Sequence, residues 1–285
     1  MSKSTHFIGQ PLLGQLLSLI DQVDVYRISK KHGGEHYVKH FDAWHHLVTM
    51  LYAIIMRFDS LREIQLSMTA ESRKLSHLGL TKIPKRSTLS DANVRRSEVI
   101  FGELYATLYD KHKGVLSSDS RNRGSTPSWL RKLKIMDSTT ISLFSNLVFK
   151  GVGRNPKRGK KKLISLLTND FEMPQQDIID IYRKRWMIET LFKQLKQNFP
   201  LRYFYGESAN AIKIQVWCTL IANLLLMLIK RSVRRSWSFS GLATMIRILM
   251  MYYVNYKSIL EYPEKDWDLM IEEVIRPPNH LSLFD

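Results

Sequence analysis

The sequence has a single cysteine, Cys218, with no second one to pair with it. A disulfide framework and a cysteine zinc site are both excluded, and the chain suits a reducing cytoplasm. Acidic residues are scarce beside basic ones: 26 Asp and Glu against 43 Lys and Arg in 285 residues, a formal net charge of +17. With a pI near 9.9, that excess points to an anionic polymer or surface, of which nucleic acid is the commonest. Internal repeats and low-complexity tracts are absent. The opening stretch MSKSTHFIGQPLLGQ lacks an apolar core of signal-peptide length. Only one apolar run, residues 214–229, approaches a membrane span. It is too short and contains Gln215 and Asn223. It reads as the buried helix of a soluble core, and no membrane partner is expected.

What is present divides near residue 130. Residues 8–29 read as an amphipathic helix with Leu12, Leu13, Leu16, Leu17 and Ile20 on one face. KKHGGEHYVKHF breaks it, and FDAWHHLVTMLYAIIMRF reads as a long buried helix. The next helix has a start signal at Asp59 and Ser60 and a stop at Gly79. Ser87 then reads as the N-cap of a further helix that carries Arg95 and Arg96. A helix, a short turn and a second polar-faced helix is the grammar of helix-turn-helix DNA readers. Arg95 and Arg96 are therefore candidate DNA contacts. GVLSSDSRNRGSTPSWLRKL reads as a linker. KIMDSTTISLF and LISLLTND read as strands. Between them a loop broken by Gly and Pro gathers cations that include Arg154, Lys157 and Arg158. The remainder reads as helix, beginning with MPQQDIIDIYRKRWMIETLFKQLKQNF.

In that helix one acid, Glu189, sits among cations. At 100° per residue, Tyr182, Arg185, Glu189 and Lys196 fall within a band of about 60° at the edge of the apolar face. Arg185 and Lys193 lie one turn to either side of Glu189. That spacing is ordinary helix support, worth a few tenths of a kcal/mol per pair. It also suits a metal-ligating carboxylate flanked by groups that hold phosphate, as two-metal phosphoryl transfer requires. A partner carboxylate should then sit on a strand, and Asp137 in KIMDSTT fits. Its plainer reading is a turn or capping Asp before Ser138.

Tyr182, Arg185, Glu189 and Lys196 match Y-x2-R-x3-E-x6-K, and the chain thereby resembles the IS-four family of bacterial insertion-sequence transposases. RFDSLREI, KRSTLSDANVRRSE, DSTTISLFSNLVFKGVGR and LRYFYGESANAIKIQ look like one of its subgroups. The resemblance implies a mainly α N-terminal domain of DNA-binding type, residues 1–125. An α/β RNase H-like transposase catalytic domain would follow, residues 131–285. It implies binding of double-stranded DNA at the element's terminal inverted repeats, cutting there, and joining to target DNA with Mg²⁺ or Mn²⁺. Asp137 and Glu189 would be the catalytic, metal-holding carboxylates. Tyr182, Arg185, Lys193 and Lys196 would contact DNA. The protein would be cytoplasmic and nucleoid-associated, with self-association as a further expectation.

One departure bears on activity. A DDE site needs a second Asp on an intervening strand, but only 51 residues separate Asp137 from Glu189. Asp170, Asp177 and Asp180 all lie at or after the second strand, in the wrong place to match. An internal deletion near 162–163 is inferred, which would leave the RNase H-like domain without its central strands and β insertion. Asp170 is the remaining substitute ligand. The resulting expectation is DNA binding without strand transfer, and the alternative is a non-catalytic remnant that inhibits transposition. Near the C-terminus, Leu281, Leu283 and Phe284 in HLSLF resemble the peptide with which bacterial proteins bind the replication sliding clamp.

Overall fold

The computed structural model describes residues 10–76, 78–80, 82–116 and 175–264. Both predicted strands lie outside these residues. So do Asp137, Arg154, Lys157, Arg158, Asp170 and the tail residues Leu281, Leu283 and Phe284. Among the described residues there are eleven α-helices and no strand.

Local chemistry sets most helix starts. The single helix expected over residues 8–29 is two helices, α1 (Leu12–Leu17) and α2 (Gln22–Lys31). Asp21 interrupts the run because its carboxylate accepts the Val23 N–H at 2.9 Å, and so caps a new helix. The predicted apolar face survives the break, with Leu12, Leu13, Leu16, Leu17 and Ile20 all buried. Helix α3 (Ala43–Met56) is capped by Asp42, which accepts the His45 N–H at 2.8 Å, and ends at Arg57 in the left-handed region. Ser60 caps α4 (Leu61–Ala70) as expected. A short α5 (Ser72–Ser76) follows, then Gly79 with φ of 81°. Helices α6 (Arg86–Arg95) and α7 (Val99–Leu116) occupy the stretch read as one helix. After α8 (Gln175–Asn198), Ser208 caps α9 (Ala209–Ser232) and Ser238 caps α10 (Phe239–Leu249). Asn255 caps α11 (Tyr256–Glu261).

The chain forms two compact units. Residues Met1–Ser118 and Leu195–Asp285 make one; Asp119–Gln194 make the other, described only over its α8 residues. The sequence had placed a boundary near residue 130 with everything beyond it in one domain. In the first unit the C-terminal α9 lies at the centre, and α3, α6, α7 and α10 all pack on it. By length and composition α9 is the one described helix apolar enough to cross a membrane. Here Ile214, Cys218, Ile221, Ala222, Leu225, Leu226 and Ile229 are buried in the unit's core. Burial pushes the Cys218 thiol well above its ordinary pKa, so it stays protonated.

Helix α3 carries a histidine in the same core. His46 is fully buried, and its Nε2 lies 2.8 Å from the Asn93 amide oxygen on α6. Burial, helped by the nearby Arg96 charge, lowers its pKa from 6.5 to about 3. Between these values the unfolded chain takes up a proton that the folded chain refuses. Stability therefore falls as pH drops below about 6.5, by up to about 1.4 kcal/mol per pH unit from this group. Denaturant midpoints measured from pH 7 to pH 4 should show that slope, and His46→Gln should flatten it.

Candidate nucleic-acid interface

Helix α4 packs on α6, and the contact supplies a cap that the sequence did not show. The Gln65 side-chain oxygen accepts the Arg86 N–H at 2.9 Å. With this bond from another helix, α6 starts at Arg86. Lys85 occupies the N-cap position without a side-chain bond, and the predicted cap Ser87 lies inside the helix. Leu89 and Asn93 are buried, while Lys85, Arg86, Ser87, Asp91, Val94 and Arg95 are exposed. Exposed Lys82 adds a further cation ahead of the helix. This face has the mix of cations and short polar groups that backbone and base contacts use. The turn expected between the two helices is not short, since α5 and its flanking loops fill residues 71–85. The arrangement therefore departs from the tight helix-turn-helix.

Arg95 and Arg96 separate completely. Arg95 is exposed, whereas Arg96 is 5% exposed and points inward. Successive helical residues are about 100° apart, so both cannot share a face. Arg96 lies three residues after Asn93 and seven after Leu89, on their buried side. Its guanidinium donates to the backbone carbonyls of Gly34 at 3.3 Å and Phe41 at 2.8 Å. The expected DNA contact is instead an internal clamp on the α2–α3 loop, because it has no charge to offer outside.

The break between α6 and α7 is also tertiary. Asn210, at the start of α9, donates from Nδ2 to the carbonyls of Asn93, Val94 and Arg96 at 2.9, 3.3 and 2.8 Å. Its Oδ1 accepts the Glu98 N–H at 3.0 Å. One side chain thus ends one helix and begins the next. Glu98 then receives Trp217 Nε1–H at 2.8 Å and Lys213 at 3.3 Å. Tyr205 donates its hydroxyl to the Phe58 carbonyl at 2.7 Å, and Arg247 donates to Ile55 at 2.8 Å. Of these, Tyr205, Asn210 and Lys213 fall in the stretch 201–215, legible in the sequence only as a string resembling a family. Their work is to fasten α9 to the N-terminal helices.

The helix that carries Tyr182, Arg185, Glu189 and Lys196 is continuous from Gln175 to Asn198. Glu189 is half-buried, while Lys193 and Lys196 are exposed. Among the described residues, no group of three or more His, Cys, Asp or Glu is arranged to hold a metal. Of the two carboxylates expected to do so, only Glu189 belongs to the described residues.

Residues 8–81 match a family model described as a domain of unknown function, DUF4372. The remaining similarities agree with one another. The chain is similar to bacterial proteins named as transposases. It is 35% identical over 105 residues to the "Putative transposase y4zB" of Sinorhizobium fredii, covering 34% of this chain and 28% of that protein. It is 43% identical over 54 residues to the Synechocystis "Putative transposase for insertion sequence element IS4SA", covering 19% and 16%. It is 33% identical over 63 residues to the "Probable transposase for insertion sequence element IS5377" of Geobacillus stearothermophilus, covering 22% and 17%. The matched stretches thus span 28% or less of each relative's length. No solved structure matches the chain.

Proposed function

We propose that the protein acts in DNA transposition as a binder of insertion-sequence ends, and that this chain does not itself transfer strands. The observation that carries the reading is the agreement between the similarity to three named transposases and the Tyr182, Arg185, Glu189, Lys196 spacing on one helix. The net charge of +17 supports a nucleic-acid partner. The exposed side of α6, with Lys85, Arg86 and Arg95, is the surface offered to the duplex.

The catalytic half of the proposal rests on the sequence. Asp137 and Glu189 would hold Mg²⁺ or Mn²⁺ in an RNase H-like domain, and the metal would supply charge neutralisation at the scissile phosphate. Tyr182, Arg185, Lys193 and Lys196 would position the strand by charge and hydrogen bonds. With no Asp matching the missing ligand between Asp137 and Glu189, the site has two carboxylates where three are needed. Such a protein would occupy element ends without cutting them and so restrain an intact transposase.

Binding and cleavage on a duplex carrying the element's end test this together. Affinity should drop about 10³-fold over a fourfold rise in salt if about six phosphates are contacted. No Mg²⁺- or Mn²⁺-dependent nicking should appear, in wild type or in Glu189→Gln. Nicking that Glu189→Gln abolishes would show a working third ligand and overturn the non-catalytic reading. Salt-insensitive binding would overturn the electrostatic one.

A further inference from the structure

The loop between α2 and α3 is held at both ends and presents an aromatic ring at its middle. Glu35 accepts the Ser29 hydroxyl at 2.6 Å and the Ala43 N–H at 3.1 Å. The buried Arg96 holds the Gly34 and Phe41 carbonyls. Gly34 is tightly enclosed: an added Cβ would come within 2.5 Å of both Ile100 and Ser29 side-chain atoms. Between these clamps Tyr37 is 98% exposed with φ of 58°. Its ring meets the neighbouring His36 imidazole edge-on, at 5.8 Å and 74°.

That arrangement contributes little to folding. A tyrosine almost wholly in water buries almost nothing, and the left-handed region is unfavourable for a bulky residue. Asn or Gly would suit the backbone better. Strain at an exposed, well-clamped position is a reason to look for a ligand. The surroundings specify its charge. His36, Lys39 and His40 are exposed on the same loop, and Lys30 is exposed just before it. Both acids of the loop are engaged: Glu35 by Ser29 and Ala43, and Asp42 by Tyr26 and His45. Lys31 and His32 are already engaged by Glu103 on α7, at 2.8 and 2.6 Å. An exposed ring flanked by cations is the equipment for stacking on an unpaired base while holding the adjoining phosphates.

We infer that the clamped loop of residues 33–42 is a second DNA-contacting element, in which Tyr37 stacks on an unpaired or unstacked base and Lys30 and Lys39 hold the neighbouring phosphates. The inference rests on the DNA-binding reading above and adds a preference for distorted over fully paired DNA. Arg96 and Glu35 are its positioning residues: the buried Arg96 and the half-buried Glu35 fix the loop through their hydrogen bonds.

The test uses the full chain and two duplexes of one sequence, one fully paired and one with a central mismatched bubble containing 2-aminopurine. Wild type should bind the bubble about tenfold more tightly than the paired duplex and should quench the 2-aminopurine. Tyr37→Phe should keep both effects. Tyr37→Ala and Tyr37→Asn should lose both while binding the paired duplex as wild type does. Tyr37→Asn should unfold at an equal or higher denaturant concentration, which separates loss of stacking from loss of fold. Lys39→Ala should weaken binding to both duplexes and make binding less salt-dependent. Unchanged bubble preference in Tyr37→Asn would overturn the stacking inference and leave the DNA-binding reading intact. Equal loss on both duplexes would also overturn it, since the ring would then be a general contact. Wild type that binds neither duplex would bring down both readings.

Discussion

A fragment of residues 1–125 will not fold cooperatively by itself, although the sequence divides there. Helix α3 is buried at nearly every position from Ala43 to Ile55. A helix enclosed on all sides needs neighbours on all sides, and α9 and α10 supply two of them. Without α9 the apolar residues of α3, α6 and α7 that face it return to water. The loss also removes specific fastenings. Asn210 no longer separates α6 from α7, Tyr205 no longer meets Phe58, and Arg247 no longer meets Ile55. Gly102 of α7 lies so close to the Trp217 indole that an added Cβ would be 3.0 Å from the ring. Such close approach between helices is lost altogether. The fragment should show helical far-ultraviolet dichroism, weak near-ultraviolet signal, dye binding and a broad unfolding transition. Joining residues 1–118 to 195–264 through a flexible linker should restore a sharp transition. A fragment of residues 1–125 that unfolds sharply would show that α9 is dispensable.

Gln215→Met should be among the most damaging single substitutions in the described core. Gln215 is fully buried on α9 and serves three backbone groups of the preceding loop. Its Nε2 donates to the carbonyls of Pro200 at 3.1 Å and Tyr203 at 2.8 Å, and its Oε1 accepts the Tyr205 N–H at 2.8 Å. Methionine keeps the length and most of the volume, so the cost is that of the stranded polar groups. At about 1–3 kcal/mol for each buried group left unmade, a loss of roughly 3–5 kcal/mol is expected. That is a large part of a typical domain's stability. Equilibrium denaturation of wild type and Gln215→Met gives the figure directly. A loss below about 1 kcal/mol would mean that the loop finds other partners.

Both predictions concern residues whose importance the sequence showed only in outline. The 214–229 segment was legible as buried because its apolar residues far outnumber its polar ones. The Gln within it looked like an argument against a membrane, and its three partners come from a loop that adjacency could not reveal. Arg95 and Arg96 looked equivalent as letters. Helical rotation and the buried Leu89 and Asn93 give them opposite surroundings, and only one remains on the surface. Tyr37 carried no pattern at all. Its exposure and left-handed backbone exist only once Arg96 and Glu35 have closed the loop around it.

The order of the amino acids carries what local chemistry decides. It set the basic charge, the lone unpaired cysteine, the helical reading of the N-terminal half, the cap at Ser60, and the spacing of Tyr182, Arg185, Glu189 and Lys196. Tertiary structure decided where helices end when the stopping group comes from elsewhere. Asn210 divides α6 from α7, and Gln65 starts α6 one residue before the predicted cap Ser87. It also decided that residues after 195 complete the core of those before 118. A cap or an apolar stripe is written within a few neighbouring letters. A hydrogen bond across more than a hundred residues depends on two surfaces that exist only when the chain has folded.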